Sequence, residues 1–121
     1  MYNHMVVDQL HEDEVSRLFQ ALADATRRDI VARVLVADSS VSRLAEQYAM
    51  SFAAVQKHVA VLERASLVTK EKRGREQIVR GQVDGVQRAR RLLDEYERIW
   101  RQRVDRITDI LAEDDRDRDR D

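Results

Sequence analysis

The sequence predicts a mainly α-helical fold with one small β-hairpin. Apolar side chains recur at i, i+3, i+4 and i+7 along most of the chain, the spacing of a helix face. The composition is 43% hydrophobic, 37% charged and 5% aromatic with no proline, which suits charged helices better than stacked sheets. Only the stretch from Leu67 to Arg80 gathers Val, Thr and Ile around a glycine, as paired strands do.

The 121 residues suffice for one core and hardly a second. Residues 1–12 show no clear periodicity and are expected to be a flexible N-terminus. Helix 1 starts at about Asp13, with Val15, Leu18, Phe19 and Leu22 on one face. Asp24 can cap helix 2, in which Ile30, Val31, Val34 and Leu35 repeat the stripe until Asp38-Ser39-Ser40 breaks it. Helix 3 is expected from about Val41 to Tyr48. Helix 4 follows Ser51, a good N-cap, and continues to about Ala65. A two-stranded hairpin, Leu67–Lys72 and Glu76–Arg80, turns at Arg73-Gly74-Arg75, where glycine accepts a positive φ. A long helix then runs to about Ala112 and spans roughly 40 Å.

That last helix carries Leu93, Tyr96, Trp100, Val104, Ile107 and Leu111 at spacings of three and four, with Leu92, Ile99 and Ile110 to one side. It is longer than one small domain can cover, so its partner is expected to be a second copy of the chain. The domain is thus expected over 13–112, with a dimerisation helix from about 84 to 112 and a disordered charged tail over 113–121.

The near-neutral total, 22 basic against 23 acidic side chains, conceals an uneven distribution. Residues 1–50 hold five basic and eight acidic side chains, 51–91 ten and four, and 92–121 seven and eleven. A basic middle between acidic ends is what a polyanion-binding face requires. No apolar run reaches the roughly 18 residues of a bilayer span, and the start lacks the pattern of a secretory signal. A cytoplasmic protein with no membrane partner is expected. The absence of cysteine excludes disulfides, thiolate metal sites and thiol redox sensing.

Helices 3 and 4, spanning Val41 to Leu67, have the spacing of a helix-turn-helix. Ala45, Ala49 and Met50 fit the crossing and the tight turn, and Leu44, Tyr48, Val55, Val59 and Leu62 form the internal face. Ala53, Gln56, Lys57 and Ala60 then point outward together. Small residues permit close approach to a major groove, an amide reads adenine edges, and a cation holds phosphate or guanine. Phe52 has two readings, contact with a thymine methyl or packing against the turn. The hairpin carries Lys70, Lys72, Arg73, Arg75 and Arg80, so its tip could lie along the DNA backbone or enter the minor groove; a solvated hairpin is the alternative.

The order helix, helix, helix-turn-helix, hairpin and long helix resembles the ArsR/SmtB family of winged helix-turn-helix repressors over about Leu18 to Leu111. The resemblance rests on Leu22-Ala23-Asp24-Ala25-Thr26-Arg27-Arg28-Asp29-Ile30 and on Met50-Ser51-Phe52-Ala53-Ala54-Val55-Gln56-Lys57-His58-Val59-Ala60-Val61-Leu62-Glu63. It implies a homodimer that places two recognition helices in successive major grooves of a pseudo-palindromic operator, acting as a repressor. It also implies Ser51, Phe52, Ala53, Gln56, Lys57 and His58 as the DNA-facing set of the recognition helix; on the wing, the charge of the hairpin itself makes Lys72, Arg73 and Arg75 the expected DNA contacts. The dimer interface it implies, on the first and last helices, holds Leu18, Leu93, Tyr96, Trp100, Val104, Ile107 and Leu111. Ala25 and Ala53 stand where the family often has proline, and Ser66 where it usually has glycine, which is expected to strain the exit of helix 4.

Many relatives bind metal through cysteines near helix 3 or through Asp, His and Glu on the last helix. Here the last helix offers Asp94, Glu97, Asp105 and Asp109 without histidine, which reads as a solvated face. His4 and His11, beside Glu12, Asp13 and Glu14, could form an N-terminal clip only if that segment organised itself. His58 is a phosphate donor or a turn-packing imidazole. No metal, no other cofactor and no enzymatic activity are expected, because no phosphate loop, nucleophile elbow or catalytic constellation is present. The expected function is sequence-specific binding of double-stranded DNA by a transcriptional regulator. The competing reading is a winged-helix protein-interaction module without DNA binding.

Overall fold

The computed structural model describes residues 2–120, with side chains described from 12 to 118. The elements follow in the order α1 (Tyr2–Leu22), α2 (Ala25–Val36), β1 (Ser39–Ser40), α3 (Val41–Glu46), α4 (Phe52–Arg64), β2 (Val68–Arg73), β3 (Glu76–Gly81) and α5 (Val83–Arg120). This is the mainly helical winged helix-turn-helix that the spacing predicts. Two compact units divide it, Met1–Ala89 and Arg90–Asp121.

Three helices of the first unit, α2, α3 and α4, are each started by a side chain that satisfies a free backbone N–H. Asp24 accepts from the Arg27 N–H at 3.0 Å, Ser40 from Arg43 at 3.1 Å and Ser51 from Ala54 at 3.1 Å, which caps α2, α3 and α4. The stripes then meet in one core. Leu18 and Ala21 of α1, Ile30 and Val34 of α2, Leu44 of α3 and Val55, Val59 and Leu62 of α4 close over Leu67, just before β2, and over Val68 and Val79 of the sheet. Each of the Leu, Ile and Val side chains among them contributes about 1.5–3 kcal/mol through burial.

The sheet is antiparallel in the order β1-β3-β2. Strands β2 and β3 pair from Val68 opposite Gly81 to Arg73 opposite Glu76. The two-residue turn Gly74-Arg75 has φ +64 at Gly74, the first central residue of a hairpin turn. Strand β1 adds Ser39 opposite Val79 and Ser40 opposite Ile78. Two residues are too short for any alternation, so the third strand is invisible to pattern reading and exists because β3 offers a free edge.

Leu18 requires a correction. It is 2% exposed within a single chain, so its surface is already spent in this core and none remains for a dimer interface. Helix ends differ as well. Helix α1 begins at Tyr2 rather than Asp13, through the stretch expected to be flexible, because elongation gains one hydrogen bond per residue without needing an apolar stripe. Helix α5 continues to Arg120, through the tail expected to be disordered, where alternating charges form pairs one turn apart such as Arg118 with Asp114 at 3.4 Å.

Helix α4 leaves through a Schellman turn. The Leu67 N–H donates to the Leu62 carbonyl at 3.0 Å and the Ser66 N–H to Glu63 at 3.1 Å, with Ser66 at φ 58. The strain expected of serine at this exit is therefore real. The Ser66 carbonyl accepts the Gly85 N–H at 2.9 Å, and a Cβ on Gly85 would lie 2.8 Å from the carbonyl oxygens of Ala65 and Ser66.

In the second unit, Leu93, Tyr96, Trp100, Val104, Ile107 and Leu111 are 41–60% exposed. Opposite charges pair along this helix, Arg90 with Asp94, Arg98 with Glu95 and Arg101 with Glu97. Among the described residues no helix is long and apolar enough to cross a membrane.

Candidate nucleic-acid interface

Burying Val55, Val59 and Leu62 on one side of α4 fixes which residues face outward. Ser51, Phe52, Ala53 and Lys57 are exposed, and Gln56 and His58 are half-buried. The chain thus brings together the six residues expected on the recognition helix, though not in equal states. Phe52 is 46% exposed, so its ring is not consumed by packing against the turn. The Ser51 hydroxyl oxygen is engaged as the N-cap. Lys57 has no ion-pair partner among the described residues.

The turn before α4 is held from α2. Tyr48 donates its hydroxyl to Asp29, Arg33 donates to the same carboxylate at 2.8 Å, and the guanidinium of Arg33 lies 5.8 Å from the Tyr48 ring centroid. The Tyr48 hydrogen bond and then the Arg33 pair hold the Asp29 carboxyl below the usual carboxylate range. Burial and the same hydrogen bond push Tyr48 up to about 12. Neither Asp29 nor Arg33 is singled out by spacing, because the clamp joins residues 19 positions apart.

A second tie reaches α4 itself, from Arg27 to His58, across 31 positions. Sequence reading marks both residues within its motif strings but not their contact. Of the two readings that the sequence leaves for His58, a phosphate donor or a turn-packing imidazole, neither is complete by itself: the residue is half-buried and its Nδ1 faces Arg27.

The wing separates its cations by face. On one side Arg80 bonds Asp38 at 2.9 Å and Glu71 at 3.6 Å, and Arg73 also reaches Glu71 at 3.6 Å. Lys70 lies 3.8 Å from Glu63. Lys72 and Arg75 have no ion-pair partner among the described residues. Of the three wing residues expected to meet a polyanion, two are thus free and Arg73 is shared with an acid.

Among the described residues no three His, Cys, Asp or Glu side chains gather as a metal-holding group. Asp94 and Glu97 face arginines instead. The side chains of His4 and His11 lie outside the described residues.

No protein-family profile matches the chain. It is 36% identical over 80 residues to an HTH-type transcriptional regulator of Mycobacterium tuberculosis, covering 66% of this chain and 75% of that protein. The solved structure of an ArsR-like transcriptional regulator from Rhodococcus sp. RHA1 is 32% identical, with a TM-score of 0.74 over 83% of this chain and 92% of that one. A homodimeric winged helix-turn-helix DNA-binding domain from Mycobacterium bovis, 24% identical with a TM-score of 0.58 over 70% of this chain and 79% of that one, shares the fold.

Proposed function

The chain belongs to the ArsR family of transcriptional regulators, which are not enzymes, and from that premise we propose that it binds double-stranded DNA as a homodimer and represses transcription. The observation that carries this reading is the outward face of α4, where Ala53, Gln56 and Lys57 share one side of a helix whose other side is locked into the core. A small residue lets the helix approach base edges, Gln56 can pair with adenine, and Lys57 can neutralise a phosphate. Ser51, Phe52 and His58 complete the set, with Lys72, Arg73 and Arg75 of the wing against the flanking backbone. Ten basic against four acidic side chains in residues 51–91 supply the field.

The dimer is built on the exposed seam of the last helix, Leu93, Tyr96, Trp100, Val104, Ile107 and Leu111. Homodimerisation of the Mycobacterium bovis neighbour accords with it. Two recognition helices then read half-sites about 10–11 bp apart, or a multiple of that turn. Such a protein acts in the cytoplasm, on the chromosome.

Selection of bound fragments from the organism's own genome tests this directly. A palindromic site is expected. Gln56→Ala should weaken binding to it by about 1–3 kcal/mol, and Lys57→Ala should reduce the dependence of log affinity on log salt by about one. Undiminished affinity in the double variant would return the chain to the protein-interaction reading.

A further inference from the structure

The guanidinium of Arg27 is committed on all sides. Its Nε donates to the Ala21 carbonyl at 2.8 Å and its Nη2 to the Gln20 carbonyl at 2.8 Å, so it closes the end of α1. Its Nη1 lies 3.3 Å from Nδ1 of His58 on α4. A guanidinium offers only donors. Nδ1 must therefore accept, an accepting imidazole nitrogen carries no hydrogen, and the single ring proton resides on Nε2. Asp24 is also near, but its carboxylate is turned to the Arg27 backbone N–H at 3.0 Å and acts on the imidazole only through space. No protein group among the described residues accepts the Nε2 proton.

We propose that Arg27 is a positioning residue for DNA recognition: it holds His58 as the neutral ring with Nε2–H free for a phosphate oxygen, and links that donor to the end of α1. The proposal rests on the DNA-binding reading and sharpens it. A neutral donor fixes the register of the helix on the backbone but releases no counter-ion. His58 therefore contributes to affinity without contributing to its salt dependence, unlike Lys57 one position before it.

Two measurements test it on the full chain. Long-range nitrogen–proton correlation spectra should show His58 with a bare Nδ1 and a protonated Nε2, and a mixture of tautomers in Arg27→Ala. Binding to a random-sequence duplex across a salt series should fall about fivefold in His58→Ala with an unchanged slope. His58→Gln, whose amide nitrogen reaches the place of Nε2, should recover most of that loss. Arg27→Ala should weaken binding similarly in the parent chain and add little in the His58→Ala background. A protonated Nδ1, a slope reduced by about one in His58→Ala, or equal losses on Arg27→Ala in both backgrounds would overturn the proposal while leaving DNA binding intact. If Arg27→Ala does not fold, the parent spectrum and the His58→Ala slope decide alone. Failure of the parent chain to bind any duplex overturns both readings.

Discussion

The Tyr48 hydroxyl, the Asp29 carboxylate and the Arg33 guanidinium form a closed set at the helix-turn-helix corner, and their titration follows from that closure. Asp29 is held low, so its contribution to stability is complete above the ordinary carboxylate range and is lost as pH falls through its lowered value. Tyr48 is raised from 10.0 to about 12. Its contribution is complete below 10.0 and is lost as pH rises through about 12. An absorbance titration should therefore show a phenol step near 12, and Tyr48→Phe should abolish that late step. Three phenols titrating together near the ordinary value would contradict the clamp. At this scale the sequence is legible where the partner is local. Asp24 and Ser51 are recognisable as caps because a cap bonds within three residues. Asp29–Tyr48 and Arg27–His58 are not, because only the packing of α2 against the corner and against α4 brings them together.

At the scale of elements, the junction between the exit of α4 and the start of α5 is backbone against backbone. Ser66 occupies the left-handed region at about 1–2 kcal/mol, whereas glycine there loses about 0.5–1 kcal/mol in added freedom of the unfolded chain. Ser66→Gly should therefore stabilise the protein by up to about 1.5 kcal/mol. Gly85→Ala should do the opposite. Alanine gains about 1 kcal/mol in helix propensity, but its Cβ meets two carbonyl oxygens at 2.8 Å. Overpacking costs about 1–3 kcal/mol and the bond to Ser66 about another. Urea unfolding of both variants checks the pair, and a stabilised Gly85→Ala would refute the close approach. Ser66 is readable in advance as a departure from a glycine. Gly85 is not, since a glycine inside a helical stretch looks only like a weak helix former until its neighbour is known. Strand β1 escapes for a similar reason, being defined by β3 rather than by its own two residues.

For the whole molecule, the apolar seam of the last helix leaves large side chains in water, with Trp100 at 60% exposure. A solitary chain would keep an apolar stripe that soluble monomers seldom display. Replacing Leu93 and Trp100 with glutamate should give monomers in sedimentation and weaken DNA binding, and a parent chain that is itself monomeric at micromolar concentration would refute the dimer. Periodicity makes this seam plain without any structure. Leu18, placed in the interface by the resemblance, is instead spent within one chain, because a helical stripe says that a side chain is buried but not by whom. The division of labour on the wing has a consequence in time rather than in strength. Arg80 and Arg73 are occupied by Asp38 and Glu71, while Lys72 and Arg75, at and beside the tip, have no ion-pair partner among the described residues. On the DNA-binding reading, those two charges act before any base is touched, drawing the protein in from solution at a rate that falls with ionic strength. The shorter-ranged contacts of α4 then govern how long it stays.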